Sequence, residues 1–270
     1  MYAADSVAII GAGRMGRGLA LALEQGGTSV RLLGRDRSSD ATREVQLILI
    51  ATPDGAIAEV AAELASTAAI EAHQVVLHLS GLLDRSALRS LAGTGAGLGS
   101  FHPLQAIADP AAAPGLLRDA YAGLEGDERA LAAGERLARH LGMRPVRLAP
   151  EAKATYHAGA VVASNYTVVL AALAARLASR AGIEPEDAGE LYLPLMRGTI
   201  ANLALGPAAA LTGPIRRGDE TTVRRHLAAL DPQDRKLYRD LGLAALRLAR
   251  DAGLAEASAL AVERALIEAV

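Results

Sequence analysis

The sequence predicts an α/β protein, a doubly wound parallel sheet followed by an all-helical part, and three observations carry that prediction. Short aliphatic or β-branched runs alternate with longer Ala/Leu/Glu/Arg segments from residue 6 to residue 148, the rhythm of βαβ units. A glycine-rich turn joins the first such run to the first helical segment. After residue 150 the aliphatic runs stop and helix punctuation takes over. With 270 residues there is chain enough for two domains, and the division is expected at 1–150 and 151–270.

Residues 7–10 are the first strand, and 17–25 form a helix closed by Gly26-Gly27. Residues 30–33 are the second strand, and 45–51 a strongly apolar third that ends in Thr52-Pro53-Asp54. A helix over 56–65 and a strand over 75–79 follow, with Ser80-Gly81 at the strand's end. Weaker strands are expected at 97–101 and 121–124, separated by a Pro/Ala-rich loop at 109–115. The sheet closes with a helix over 129–141 and a short strand over 145–148. In the second half Pro185 and Pro194 sit where a first helical turn tolerates proline, and Gly206-Pro207 stops a helix. Asp231-Pro232 reads as an N-cap followed by proline at the first helical position.

Composition excludes several classes. With 28 basic against 30 acidic side chains there is no basic field to gather a phosphate backbone, so no nucleic-acid partner is expected. The absence of cysteine removes disulfides, thiolate metal sites and cysteine nucleophiles, and no metal is expected. Residues 158–175 carry no charge, but they include Ser164, Asn165, Tyr166 and Thr167 and stand alone, so they read as a core or interface helix rather than a membrane span. No leader is visible before the first strand, and a cytoplasmic protein without a membrane partner is expected.

The string Gly11-Ala12-Gly13-Arg14-Met15-Gly16 follows a strand and opens a helix. The first glycine serves a tight turn, the second lets backbone approach a diphosphate, and the third lets helix and strand pack closely. A dinucleotide site is therefore expected, with the diphosphate at the positive end of the helix. At the end of the second strand the chain reads Leu33-Gly34-Arg35-Asp36-Arg37-Ser38. Arg35 can pair with a 2′-phosphate and Ser38 can donate to it, which favours NADP(H); the other reading has Asp36 on the ribose and permits NAD. Thr52, Pro53 and Ser80 lie at strand ends facing the same crevice, though each also suits an ordinary strand-to-helix turn, and Asp54 suits an N-cap. The expected cofactor contacts are Gly11, Gly13, Arg14, Met15, Gly16, Gly34, Arg35, Ser38, Thr52 and Pro53.

If residues 151–178 form one helix, Lys153, Tyr156, His157 and Ser164 project within a narrow arc, with Asn165 on its margin. Polar side chains on an apolar helix demand partners, either in a buried network or across a polar cleft. Other unusual strings are Phe101-His102-Pro103-Leu104-Gln105 and Leu211-Thr212-Gly213-Pro214 with Arg217-Gly218-Asp219.

These strings, behind the glycine turn, resemble Rossmann-like proteins whose C-terminal half is the domain of unknown function 2520. Those are described as NADP-dependent oxidoreductases related to pyrroline-5-carboxylate reductase, prephenate dehydrogenase, and the 6-phosphogluconate and 3-hydroxyacid dehydrogenases. The likeness covers nearly the whole chain. It implies a Rossmann domain and a helical substrate and dimerisation domain like the C-terminal part of 6-phosphogluconate dehydrogenase, and it implies a homodimer. Residues 213–222 stand where pyrroline-5-carboxylate reductases carry the loop that holds the substrate carboxylate, but without its glycine pair. Hydroxyacid dehydrogenases have a catalytic Lys with Asn four residues on, whereas Lys153 here has His157.

The expected chemistry is hydride transfer between nicotinamide and a small, carboxylate-bearing imine, keto acid or hydroxyacid. His157 is the first choice for acid/base work. Lys153 or Tyr156 would polarise or protonate the heteroatom, His102 would approach from the sheet side, and Ser80 would reach nicotinamide or substrate. Ser164, Asn165, Thr212 and Arg217 are candidate substrate contacts. The competing reading of His102 and His157 is a structural pair fastening the domains, and Arg217 with Asp219 reads equally as an interface pair or a helix cap. The competing function is a non-catalytic NADP-binding regulatory or scaffold protein.

Overall fold

The computed structural model describes residues 6–34 and 40–268. The first strands and helices are β1 (Ser6–Ile10), α1 (Arg14–Gln25), β2 (Ser29–Leu33), α2 (Asp40–Arg43), β3 (Leu47–Ile50), α3 (Asp54–Ser66) and β4 (Val75–His78). Next come β5 (Gly97–Pro103), α4 (Ala113–Leu117), β6 (Tyr121–Gly126), α5 (Glu128–His140), β7 (Arg144–Arg147), α6 (Lys153–Ala163) and α7 (Asn165–Arg180). The helical remainder is α8 (Pro185–Ala188), α9 (Leu193–Asn202), α10 (Pro207–Ala210), α11 (Gly213–Arg217), α12 (Glu220–Ala229), α13 (Pro232–Asp251) and α14 (Glu256–Glu268).

The seven strands form one sheet in the order β2-β1-β3-β4-β5-β6-β7. Neighbours from β2 to β5 are parallel, and every residue of β3 and β4 is buried, as continuous apolar runs covered on both faces must be. Alternation along β1 assigns the faces: Val7 and Ile9 join Leu19, Leu23, Phe101 and Leu137 on one, Ala8 and Ile10 join Ile57, Val60, Leu88 and Leu91 on the other. Helices α1, α4 and α5 therefore cover one face; α3 and a 3-10 segment at Arg85–Thr94 cover the other.

Three departures from expectation have local causes. The sheet is not wholly parallel, because β6 runs antiparallel to β5 before β7 resumes parallel to β6. Residues 104–120 leave and re-enter the sheet at the same edge, where the Leu104 amide donates to the Tyr121 carbonyl at 2.9 Å, so the chain reverses without a crossover. The expected loop at 109–115 is mostly helical: Asp109 caps a 3-10 turn at Pro110–Ala112, and α4 follows. Ala113 there sits so close to α1 that a Cβ at Gly18 would lie 2.6 Å from its own. Finally, the helix expected over 151–178 is interrupted at Ser164, whose backbone departs from helical values (φ −105°, ψ −68°) although its amide still bonds the Ala160 carbonyl at 3.0 Å.

The chain falls into two compact units, Met1–Asn165 and Tyr166–Val270. The first extends past the expected boundary at 150/151 because α6 packs on the sheet, tied there through Lys153. The stretch Pro150–Arg180 is long and apolar enough to cross a membrane by length and composition, yet its first turns carry Lys153, Tyr156 and His157 in contact with the sheet. The second unit has a helical core of Ile215, Val223, Leu227, Leu246, Val262 and Leu266. As expected, Asp231 caps α13 by accepting from the Asp234 amide, and Pro232 follows it. The Asp234 carboxylate is itself buried, held by Arg176 and Arg180.

Phe101 is fully buried and the largest side chain of its core. Phe101→Ala is expected to cost about 3–5 kcal/mol in urea unfolding; a loss under 1 kcal/mol would show that this core tolerates a void.

Candidate functional site

The glycine turn has the steric character expected of a diphosphate cradle. Gly11 adopts φ +120°, and a Cβ on it would lie 2.6 Å from the Ala51 carbonyl oxygen. One on Gly16 would lie 1.9 Å from the Gly11 carbonyl oxygen, so the third glycine is what lets α1 start against the strand. A Cβ on Gly13 would meet nothing within 4 Å, which leaves open space in front of the turn. No side chain caps α1 and no acidic residue stands in its first turn, so its leading N–H groups are available to an anion. Arg17 Nε ties the turn by donating to the Ala12 carbonyl at 2.8 Å. Arg14 is exposed in the first helical turn, and Met15 packs against the core.

Beside this turn, at the end of β3, Thr52 Oγ1 is buried and has no hydrogen-bond partner among the described residues. An unpaired buried hydroxyl is costly, and a donor or acceptor from a bound group would relieve it. Pro53 is the N-cap residue of α3. Asp54 is not the cap: its Oδ2 accepts from Ser80 Oγ at 2.8 Å. Gly34 follows β2 with nothing within 4 Å of its Cβ position among the described residues, and Arg35 and Ser38 lie outside those residues.

The polar arc of α6 is the second half of the site, and each of its members meets the sheet where a side chain is small or missing. Lys153, 1% exposed, donates from Nζ to the Ser80 carbonyl at 3.1 Å and to Ser100 Oγ at 2.6 Å. Three residues on, the Tyr156 hydroxyl lies against Gly123, 2.8 Å from where a Cβ would be. Gly123 is the ladder partner of His102 in β5, and the same hydroxyl stands 3.1 Å from His102 Nδ1. One residue further, His157 covers Gly81: a Cβ there would lie 2.6 Å from His157 Cδ2 and 2.8 Å from His102 Nε2. The two imidazoles meet edge to face with centroids 5.9 Å apart.

An open cavity of about 690 Å³ adjoins this pair, lined by His102, Leu104, Gln105, Tyr156, His157, Ser164 and Asn165 among others. Ser80 and Lys153 are absent from its wall. The Ser80 hydroxyl is consumed internally, donating to Asp54 and accepting from the Leu82 and Leu83 amides at 3.1 and 2.9 Å. Thr212 and Arg217 belong to the second unit, where they line an open depression of about 650 Å³ with Gly213, Arg216 and Leu254. Asp219 there is a helix cap, accepting from the Thr222 amide at 3.0 Å.

Burial dominates the electrostatics. It pushes His102 down to about 4, helped by the nearby His157 and Lys153 charges. It pushes Tyr156 up to about 12, keeping it a phenol. Burial also lowers Lys153, against the pull of the Glu125, Asp84 and Asp54 carboxylates, and raises Glu125. His78, fully buried beneath Ser80, is lowered to about 4; its Nδ1 accepts from the Ser80 amide at 3.3 Å, and its Nε2 lies 3.0 Å from the Asp84 carbonyl.

Sequence reasoning missed Gly81, Gly123, Ser100 and the Asp54–Ser80 bond. The signal available for Gly123 was glycine inside a strand pattern, which marks a close approach; Ser100 and Asp54 carried none.

The depressed His78 has a stability consequence. Its folded value lies below the unfolded 6.5, so the unfolded chain binds the extra proton first, and stability present above pH 6.5 is lost as pH falls toward 4. The loss amounts to about 3 kcal/mol. Urea unfolding at pH 7.5 and 4.5 should show a decline that His78→Gln reduces; an unchanged decline in the variant would contradict the assignment.

Comparison with known proteins accords with this architecture. Residues 35–103 match the family described as a Rossmann-like domain, and residues 120–245 the domain of unknown function DUF2520. No curated protein matches the chain. Among solved structures, a Bacteroides fragilis protein named "putative NADP oxidoreductase" is 22% identical, with TM-score 0.73 over 91% of this chain and 99% of its own. A Thermotoga maritima protein is 24% identical, with TM-score 0.71 over 91% of this chain and 98% of its own. Plasmodium falciparum pyrroline carboxylate reductase, solved with NADP bound, is 12% identical, with TM-score 0.59 over 100% and 98%. Two family models thus match successive parts of the chain, the Rossmann-like domain over residues 35–103 and DUF2520 over residues 120–245.

Proposed function

We propose that the protein is an NADP(H)-dependent oxidoreductase that reduces, or forms by oxidation, a C=N or C=O bond in a small, carboxylate-bearing imine, keto acid or hydroxyacid. The observation that carries this reading is the pairing of a side-chain-free cradle with two imidazoles at the carboxyl ends of the parallel strands of one sheet. Ligands of such sheets bind at those ends. The names of two structural neighbours, an NADP oxidoreductase and a pyrroline carboxylate reductase with NADP bound, point the same way.

In this reading the N–H groups of the first turn of α1 take the diphosphate, with Arg14, Met15 and Gly34 around it, and Thr52 Oγ1 finds its missing partner on the cofactor. Arg35 and Ser38 take a 2′-phosphate. Reduced nicotinamide supplies the hydride, and the protein must position the acceptor carbon and deliver one proton to the heteroatom. His157 faces the cavity with no hydrogen bond to its ring among the described residues and is the proton donor. Ser164 and Asn165, on the same wall, hold the polar end of the substrate. In the second unit, Thr212 and Arg217 line a depression of their own with a hydroxyl and a cation suited to a carboxylate. Lys153 and Ser80 are positioning residues: their bonds fix the first turn of α6 and the turn at Gly81.

We infer further that the chain forms a homodimer and works in the cytoplasm on its NADP(H) pool. Apolar side chains stand out in water along α6, α7 and α9 and beyond, with Val168 67% and Leu205 72% exposed and Val162, Leu195 and Ile200 beside them in exposure. A second copy of the chain is the partner that covers them.

NADPH should raise Tm more than equal NADH, and the protein should oxidise NADPH with a cyclic imine or keto acid from a small panel. His157→Ala should lower kcat at least about 100-fold while leaving NADPH affinity intact. Cofactor binding with no turnover across the panel would instead favour a non-catalytic NADP-binding protein. In solution at micromolar concentration the mass should be that of a dimer, and Val168→Glu should drive it toward monomer; a monomeric parent would overturn the assembly.

A further inference from the structure

We propose that Tyr156 is a positioning residue that fixes His102 as the Nε2–H tautomer, so that His102 meets the substrate heteroatom as a neutral hydrogen-bond donor while His157 supplies the proton. The catalytic half of this statement rests on the oxidoreductase reading above; the tautomer does not.

A phenol has one proton to give and an oxygen that can accept. The Tyr156 oxygen lies against Gly123, 2.8 Å from where a Cβ would be, and the hydrogen bond it makes among the described residues is with His102 Nδ1 at 3.1 Å. Accepting there would leave the phenol proton without an acceptor, so the phenol donates and the imidazole accepts. A neutral imidazole that accepts at Nδ1 carries its hydrogen at Nε2. The Cε1–Nε2 edge of His102 is turned toward Gly81, both atoms 2.8 Å from the point a Cβ would occupy there, with His157 Cδ2 at 2.6 Å from the same point. Both rings border the cavity.

The surroundings keep His102 neutral. It is enclosed by the sheet and α6, the neighbouring Lys153 and His157 oppose a further charge there, and Asp54 favours one. The ladder pairing of His102 with Gly123 gives the device its geometry, since a side chain at position 123 would collide with the phenol that reaches Nδ1. The two histidines thus divide the labour. The acceptor carbon gains a hydride, the heteroatom gains the proton that leaves the His157 imidazolium, and His102 releases nothing, because a neutral imidazole holds its N–H too tightly to surrender it. Its N–H stabilises the charge that builds on the heteroatom before the proton arrives.

The test is a two-bond 1H–15N correlation spectrum of the full-length protein labelled with ring-15N histidine, with His102 assigned from a His102→Asn sample. The parent should show the Nε2–H tautomer of His102 at every pH from 6 to 8. Tyr156→Phe, which keeps the ring on Gly123 and removes only the hydroxyl, should give a mixture of tautomers. With a turned-over substrate, the same variant should lower kcat about tenfold and leave KM within about twofold. An Nδ1–H or doubly protonated His102 in the parent at pH 7 would overturn the proposal, as would a tautomer unchanged by Tyr156→Phe. Absence of NADPH oxidation would count against the oxidoreductase reading alone, since the spectrum reads the tautomer without substrate.

Discussion

A single buried ammonium organises the first unit. Lys153 is as enclosed as the aliphatic core, and a charge so placed is tolerated only when it is hydrogen-bonded and faced by opposite charge. It finds the Ser80 carbonyl at the end of β4 and the Ser100 hydroxyl in β5, with the carboxylates of Glu125, Asp84 and Asp54 supplying a negative surround. Helical geometry does the rest. Side chains three and four residues on share its face, so Tyr156 and His157 are set down on the same strand ends.

What they meet there is backbone. Gly123 within β6 and Gly81 in the turn after β4 are windows through which a phenol and an imidazole come within contact of the main chain, and a methyl group at either position would collide with them. Burial lowers His102 to about 4 and a phenol holds its ring, while His157 borders the cavity with no hydrogen bond to its ring among the described residues. On the other side of the sheet's carboxyl edge, the glycine turn and the orphaned Thr52 hydroxyl provide a place without side chains for an anionic group.

Periodicity made much of this legible. The apolar runs of β1, β3 and β4, the glycine turn and the proline and aspartate punctuation of α8 and α13 sit where the pattern placed them. The reversal between β5 and β6 was illegible because parallel and antiparallel edge strands share one alternation, and the direction is decided by where residues 104–120 return. In the site, the spacing of Lys153, Tyr156 and His157 marked the right face of the right helix. It could not separate their roles: only the fold shows that the lysine is spent on Ser80 and Ser100 while the histidine borders open space. Nor could it find Gly81 and Gly123, whose contribution is a missing side chain defined by what another element lays on it.

The account turns on whether the Lys153–Ser100 contact carries real energy, and a double-mutant cycle measures that directly. Unfolding free energies of the parent, Lys153→Met, Ser100→Ala and the double variant should show the two substitutions coupled by at least about 1 kcal/mol, as hydrogen bonds to a charged group are. Additive losses, with no coupling beyond error, would mean that the ammonium does not hold α6 to the sheet and would contradict the account.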